Sequence, residues 1–415
     1  MSIENNSTIE QSRNMPKGDA QSIPKGWVET TLGGVADIFN QKRVPLSAKV
    51  RDTRRGVYPY YGASNIVDYI DDYIFNGEYL LISEDGENLN TRNTPIAFIA
   101  KGKFWVNNHA HILKGKQPHL TKYLELYFSK LDISAFITGA VQPKLSKGNL
   151  INIPITIPKS TEEQKAIAQI LTAFDDKIEL LQDQNKTLET TAQTIFKEWF
   201  GKYQIGDELP EGWRVGRLGE EFNITIGRTP PRKEKEWFSN TPIGKKWISI
   251  KDIGNSGAYI SNTAEYLTNK AIERFNIPII PKNTTILSFK MTVGKLTITT
   301  EDMLSNEAIA HLKLKQNTVL SSEFIYLYLQ DLDFNALGST SSIVTAINST
   351  MIKYLEFLMP EKNILLQFDE LIKPIFDKIY NNTTQIQTLK QTRDTLLPKL
   401  MSGQLRVDEF KGIEL

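Results

Sequence analysis

The stretch "IPKGWVETTLGGVADI" begins at Ile23, and "LPEGWRVGRLGEEFNI" begins at Leu209. Pro24, Gly26, Trp27, Leu32 and Gly33 therefore recur 186 positions later as Pro210, Gly212, Trp213, Leu218 and Gly219. Whatever frame the first copy builds, the second is expected to build again. At 415 residues the chain is also long enough for two or three separate cores.

The repetition continues past the opening. "YYGASNI" (60–66) matches "WISIKDI" (247–253), "GEYLLIS" (77–83) matches "KNTTILS" (282–288), and "VNNHAHI" (106–112) matches "LSNEAIA" (304–310). "NIPITIP" (152–158) matches "YLEFLMP" (354–360). The offset drifts through 187, 205, 198 and 202, as it does when two related domains differ in their loops. These stretches are short, β-branched or aromatic, and broken by Gly, Pro and Asn, so they read as strands. Helical patches at Leu120–Leu131 and Ser322–Leu332 interrupt them. The fold class expected is α+β, with two α/β globules at 23–158 and 209–360.

A different pattern follows each globule, over 159–208 and 361–415. Ile167, Leu171, Phe174, Ile178, Leu181, Asn185, Leu188, Ala192, Ile195 and Trp199 alternate in steps of four and three, which is a heptad seam. Ser160 with Glu163 predicts a capping box at the start, and Gly201 follows the last seam residue. Adding 201 to each position gives Phe368, Ile372, Ile375, Ile379, Asn382, Ile386, Leu389, Arg393, Leu396 and Leu400, so the helix recurs. Each helix would be ~60 Å long at ~1.5 Å per residue. Pro374 predicts a kink or a late start in the second.

Asn185 occupies an a position and Asn382 a d position, and these do not correspond in the repeat. In an antiparallel pair a faces d, so a twofold relation near residues 183 and 384 would set the two Asn opposite each other. A buried Asn pair would fix register and orientation. The spacing thus predicts an intramolecular antiparallel coiled coil with pseudo-twofold symmetry, carrying the globules at opposite ends of a spacer. Residues 1–22 are polar and lack an apolar core segment, so they read as a disordered leader and not as a signal peptide.

Catalytic patterns are scarce. The chain has no cysteine, which removes disulfides, thiolate nucleophiles and Cys-ligated metals and fits a cytoplasmic protein. "TVGKLT" (292–297) has a Gly-Lys pair without the rest of a phosphate loop, and "TPPR" (229–232) falls short of an amino-methyltransferase tetrapeptide. His109 and His111 could share a strand face and bind a metal, but no carboxylate lies at a suitable spacing, which favours structural roles. There is no run of 18 apolar residues, so no membrane-spanning helix is expected.

Charge distribution is more informative than the net +1. Residues 23–158 carry 16 basic against 12 acidic side chains and 209–360 carry 17 against 15, while 159–208 carry 6 against 10. Basic residues cluster in loops of both globules. In the first they are Lys42, Arg43, Lys49, Arg51, Arg54 and Arg55; in the second, Arg228, Arg232, Lys233, Lys235, Lys245 and Lys246. Such loops can neutralise phosphates, and their Asn, Ser and Asp neighbours can meet base edges in the major groove.

In its ordered set of motifs the chain resembles the specificity (S) subunits of type I restriction–modification systems, along essentially its whole length. The carrying strings are the two "GW…LG" openings, "GRTPP" (227–231) with "WISIKDI", "SNEA" (305–308), "NIPITIPKSTEEQKAIAQIL" (152–171), and "LLPKLMSGQLRV" (396–407). The first copy lacks "GxTPP" and has "NQKRVPLSAKV" (40–50) instead, and the second helix lacks the "EEQ" start. The resemblance implies a non-catalytic subunit whose globules are target recognition domains, each reading half of an asymmetric bipartite site on double-stranded DNA. It also implies a helical ruler that docks two modification subunits, with two ATP-driven restriction subunits completing a nuclease. S-adenosylmethionine, ATP and Mg would belong to those partners, and this subunit would hold no cofactor or metal.

Correspondence between the copies then nominates DNA-facing residues. They are Lys42, Arg43, Arg54, Arg55, Tyr61, Ser64 and Asn65 in the first, and Arg228, Thr229, Arg232, Lys233, Lys251, Asp252, Lys290 and Met291 in the second. Trp27 and Trp213 are expected to anchor the domain openings in the core. The competing reading is a protein-interaction scaffold with a coiled-coil spacer and no DNA specificity, which steep salt dependence of DNA binding would separate from a DNA reader.

Overall fold

The computed structural model describes residues 23–139, 141–334 and 348–410, so the leader at 1–22 lies outside the described residues. The chain divides into two compact units, one of Met1–Asp175 with Thr392–Leu415 and one of Asp176–Gln391. This division cuts across the sequence repeat, because each unit takes one globule and a part of both long helices.

In the first unit β1 (Trp27–Thr31) pairs antiparallel with β10 (Pro154–Pro158), which brings the two ends of the globule together. Between them are two four-stranded sheets. One has the order β2-β9-β6-β7, from Ala36–Ile38, Ala110–Gly115, Tyr79–Ser83 and Ala97–Ala100. The other has the order β4-β3-β8-β5, from Ile66–Ile70, Arg55–Tyr61, Lys103–Val106 and Phe75–Asn76. The helix Pro118–Lys130 sinks Leu120, Tyr123, Leu124 and Phe128 into a core shared with Leu80, Ile82 and Leu113. The C-terminal stretch closes on the opening of this unit. The Arg406 guanidinium donates to the Lys25 carbonyl at 2.9 Å and pairs with Glu163 at 3.1 Å. Glu163 therefore does not complete a capping box, although the Ser160 hydroxyl still accepts from its backbone N–H at 3.3 Å. A full ionic partner outcompetes one backbone amide.

The second unit repeats this plan. β11 (Arg214–Arg217) pairs antiparallel with β21 (Glu356–Met359). A five-stranded sheet has the order β12-β20-β17-β18-β15, from Phe222–Ile226, Ile309–Leu314, Thr285–Ser288, Leu296–Thr299 and Tyr259–Ile260. A four-stranded one has the order β13-β16-β14-β19, from Phe238–Ser239, Glu265–Leu267, Lys245–Ile248 and Leu304–Ser305. The helix Ser322–Asp331 buries Phe324, Ile325, Leu327 and Leu329 in a core with Leu287, Ala310 and Leu312.

The repeated letters hold this frame. Gly26 and Gly212 have φ of 84° and 79°, a left-handed turn that Gly adopts without strain. Each lets the following Trp donate its N–H back to Pro24 or Pro210, at 3.0 and 3.1 Å. Trp27 is buried, and Trp213 is partly buried against Phe200. Leu32 and Leu218 are fully buried, and their N–H groups reach the carbonyls of Ile153 and Leu355. A Cβ on Gly33 would meet Ile151 at 3.3 Å, and one on Gly219 the Lys353 carbonyl at 3.0 Å, so a side chain at either position would press its neighbour aside by a few tenths of an ångström. Two lysines then cap the same short turns. Lys116 Nζ donates to the carbonyls of Gly33 and Gly34, and Lys315 Nζ to those of Gly219 and Glu220.

The ladders correct one alignment. Tyr60 pairs with Trp105 and Trp247 with Leu304, while Ser83 pairs with Ala110 and Ser288 with Ile309. With offsets of 187 and 205 on their partner strands, both ladders put "VNNHAHI" 199 positions before its counterpart, not 198. Asn107 thus corresponds to Asn306, and the two behave alike. Each side chain accepts from the N–H two residues on, and each backbone N–H donates to the end of the neighbouring parallel strand, at Tyr61 or Ile248. A shift of one residue moves every side chain to the opposite face of a strand.

The long helices run Thr161–Phe200 and Lys362–Met401. Within the second unit they are antiparallel: Phe196 meets Phe368 with ring centroids 5.9 Å apart, and Asn382 Nδ2 donates to Asn185 Oδ1 at 2.9 Å. Asn185 Nδ2 in turn donates to the Thr383 hydroxyl at 3.2 Å. Both Asn are buried, so each supplies the other's hydrogen bond where water cannot. In the first unit Arg393 donates to Asp175 at 2.7 Å. The first helix is buried at the predicted seam from Ile167 to Leu181, at Asn185 and at Ala192, then turns inward at Phe196 and Phe200 instead of Ile195 and Trp199. The second uses Phe376 and Leu397 instead of Ile375 and Leu396. There the helices pack on globule cores and follow the 3.6-residue period of a straight helix. Pro374 neither delays nor interrupts the second helix. It removes one backbone bond, while the burial of Phe368, Ile372, Phe376 and Ile379 around it holds the helix in place. Among the described residues no helix is long and apolar enough to cross a membrane.

Candidate nucleic-acid interface

The basic loops of the first unit are largely paired with carboxylates. The Arg43 side chain is 16% exposed, donates to Glu84 at 2.5 Å, and reaches the carbonyls of Asn108 and Ala110 at 3.2 and 2.9 Å. It is a strut between loop and sheet. Burial works against the Glu84 charge, but the Arg43 hydrogen bond and the positive charges around it keep its carboxyl below the usual range. Arg54 lies over the Trp105 ring at 5.2 Å and pairs with Asp71 at 2.8 Å. Arg55 is exposed and pairs with Asp52 and Asp68, both at 2.6 Å. Lys42 is exposed, with its ammonium over Phe39. Tyr61 packs between Phe98 and Phe104, and burial raises its pKa. Ser64 accepts a long bond from Asn88, and the Asn65 carbonyl closes the turn onto the Gly62 N–H.

Arg51, absent from the nominated set, belongs to the most ordered arrangement. Its guanidinium lies over the Tyr60 ring at 5.1 Å, pairs with Asp68 at 3.0 Å and donates to the Leu46 carbonyl at 2.8 Å. Tyr60 and Asp68 face each other across β3 and β4. In the second unit Trp247 and Glu265 face each other across β14 and β16, and Arg232 completes the same triad. It lies over Trp247 at 4.6 Å and Phe238 at 4.3 Å, and binds both Glu265 oxygens at 2.8 and 2.9 Å. The counterpart of Arg232 is therefore Arg51, not Arg54 or Arg55. No sequence offset shows this, because Arg51 stands on the short helix Ala48–Asp52 while Arg232 stands in a turn.

The rest of the second group divides. Gly227 has no room for a Cβ, which would lie 2.2 Å from the Ser305 carbonyl and hydroxyl oxygens, so "GRTPP" begins with Gly for a steric reason. Arg228 donates to the Phe275 carbonyl at 3.1 Å, and the Thr229 hydroxyl donates to Glu307. Partial burial opposes the Glu307 charge, but this bond, with Lys290 and Arg232 nearby, holds its carboxyl low. Asp252 serves the fold: it caps its own helix at Ser249 and accepts from Ala264 N–H at 3.1 Å. Lys233 and Lys251 are exposed, Lys290 lies over Phe289, and Met291 stands 95% exposed.

The same plan is built twice, with charged loops set on it differently, and the comparisons with known proteins agree. The family model described as the type I restriction modification DNA specificity domain matches twice, at residues 24–190 and 210–393. The chain belongs to this family.

The specificity subunit of the MjaIX type I restriction enzyme from Methanocaldococcus jannaschii is 27% identical over 94% of this chain and 96% of its own length. A putative type I specificity subunit of Haemophilus influenzae is 32% identical over 64% of this chain and 66% of its own. The crystal structure of the S subunit from M. genitalium shares the fold, with a TM-score of 0.58 at 17% identity, covering 90% of this chain and 96% of that one.

Three histidines of this specificity subunit, His109, His111 and His311, are held by hydrogen bonds within the fold. His111 is buried, its Nδ1 accepting from Asn40 and its Nε2 donating to the Leu145 carbonyl, both at 2.7 Å. His109 meets Asp85 at 2.8 Å. His311 sits between the hydroxyls of Thr225 and Ser305, and burial pushes its pKa down to about 3. Among the described residues no group of three or more His, Asp or Glu is placed to hold a metal ion.

Proposed function

We propose that this chain reads an asymmetric, bipartite site on double-stranded DNA, one half-site per unit, and carries no catalytic step itself. The reading is carried by one frame built twice and closed differently at its charged surface, with Arg51 20% exposed in the first unit's Arg–aromatic–carboxylate triad and Arg232 50% exposed in the second's. Frame residues that coincide with loops that differ are what two modules need when each reads its own bases. The basic side chains supply phosphate contacts, and the loop Asn, Ser, Thr and Arg supply base contacts.

In this reading the two long helices are the spacer, each of ~60 Å and therefore longer than one ~34 Å turn of duplex. Two modification subunits dock on the chain and methylate adenine N6 with S-adenosylmethionine, and two ATP- and Mg-dependent restriction subunits join them in the cytoplasm. Co-expression with the modification partner, followed by mapping of N6-methyladenine across the host genome, tests the proposal. A bipartite methylated motif that disappears with this chain is the expected result. Methylation with no such motif would leave the scaffold reading in its place.

A further inference from the structure

Met291 is an apolar side chain set in an exposed, left-handed turn. It is 95% exposed, and its φ of 62° lies in the left-handed region that disfavours side chains with a Cβ. The loop that carries it, between β17 and β18, is tied down from below. The buried Ser288 hydroxyl donates to the Thr292 carbonyl at 2.6 Å and accepts from Lys295 N–H at 3.0 Å. Ser288 N–H also reaches Lys295, and Gly294 N–H reaches Ser288. The tip is thus held in one shape, with Met291 at its apex.

The first unit shows what this position needs. Glu84 N–H donates to the His109 carbonyl, and Phe289 N–H donates to the Ala308 carbonyl, which makes Glu84 and Phe289 equivalent. Two residues beyond Glu84 lies Gly86, with φ of 107°; two beyond Phe289 lies Met291. Both backbones take a positive φ, and only the second carries a side chain there. A strained, solvated, apolar side chain costs stability and brings the isolated fold no packing.

We propose that Met291 is a specificity-determining contact of the second unit, packing its thioether against the C5-methyl group of a thymine in the major groove. The proposal rests on the DNA-recognition reading above. Among the groups that bases display in that groove, the thymine methyl is the apolar one. An unbranched, polarisable side chain suits such a surface. Lys290 is placed beside it to meet a phosphate, and the Thr229–Glu307 pair lies near Lys290.

The test uses the full chain assembled with its modification subunits and duplexes carrying the methylation-mapped site, with uracil replacing thymine one position at a time in the second half-site. At one position uracil should weaken wild-type binding about fourfold to tenfold, the loss of one buried methyl contact. Met291→Gly and Met291→Gln should bind thymine DNA as weakly as wild type binds uracil DNA, and should not distinguish the two. Met291→Gly should unfold at or above the wild-type midpoint, which separates lost contact from lost fold. The salt slope should stay unchanged.

Wild type indifferent to uracil throughout, variants with full affinity, or a slope lower by about 0.9 (a phosphate contact) would each overturn the assignment. If wild type fails to prefer its mapped site over random duplex, the DNA-recognition reading itself falls, and that control is independent of Met291.

Discussion

In the first unit Arg51 lies over Tyr60 and pairs with Asp68; in the second Arg232 lies over Trp247 and pairs with Glu265. Strand register places the aromatic and the carboxylate opposite each other in both, so each Arg is drawn to the same spot by the same two attractions. What differs is closure. Arg51 is 20% exposed and also held by the Leu46 carbonyl, whereas Arg232 is 50% exposed. One arrangement thus acts as an internal strut in one unit and leaves a guanidinium facing solvent in the other. Repetition of a device does not imply repetition of its use.

The largest expected effect breaks the comparison at its hinge. Gly227→Ala forces a Cβ against the Ser305 and Asn306 carbonyls, where the first unit has Gln41 in a different turn. It should cost the second unit about 3 kcal/mol or more and leave the first intact, which calorimetry and limited proteolysis of the full chain would separate. Next come the two arginines. Arg232→Ala should weaken specific DNA binding by ~1–3 kcal/mol and lower stability less than Arg51→Ala does, because its half-exposed ring and carboxylate contacts are screened by solvent. Arg51→Ala should do the reverse, lowering stability by ~1–2 kcal/mol through the lost carbonyl and ring contacts while sparing DNA affinity. Equal DNA effects from both would end the distinction drawn between strut and open guanidinium.

A smaller effect is a pH dependence. His311 is neutral in the fold, with its pKa lowered from the usual 6.5 to about 3 by burial. The unfolded chain takes up the proton first, so its contribution is fully present above pH ~6.5 and is lost as pH falls toward 3, by up to ~1.4 kcal/mol per unit. Buried Glu189 and Glu323, with raised pKa values, act in the opposite sense, so the measure is the difference between wild type and His311→Gln in denaturant unfolding at pH 7.5 and 5.5. Loss of that difference would mean that the imidazole is not buried neutral. The smallest effect should be symmetric. Lys116→Met and Lys315→Met each remove a cap on two carbonyls and should each cost about 0.5–1 kcal/mol. Unequal losses in thermal unfolding would show that the frame is not energetically shared.

The match of "VNNHAHI" to "LSNEAIA" shows where sequence reading goes astray. At an offset of 198 it sets His111 against Ile309, yet the strand ladders make Ile309 the counterpart of Ala110. One residue of slip is invisible in a seven-letter match between strands that share few letters. It reverses which face each side chain occupies.

The duplication, the α+β class, the frame residues from Pro24 to Gly33 with their second copies, and the heptad seam with Asn185 and Asn382 on it can all be read from the order of residues. These are legible because they are local: a left-handed turn needs Gly, a seam needs apolar steps of three and four, and a repeat needs only to be seen twice. Tertiary structure alone decided that Arg43 and Asp252 serve the fold, that Arg51 is the partner in kind of Arg232, and that Phe196 and Phe376 replace their neighbours in the core. An arginine's partner is chosen by strands that meet through space. Over one or two turns a helix of period 3.5 cannot be told from one of 3.6 until a core is set against it.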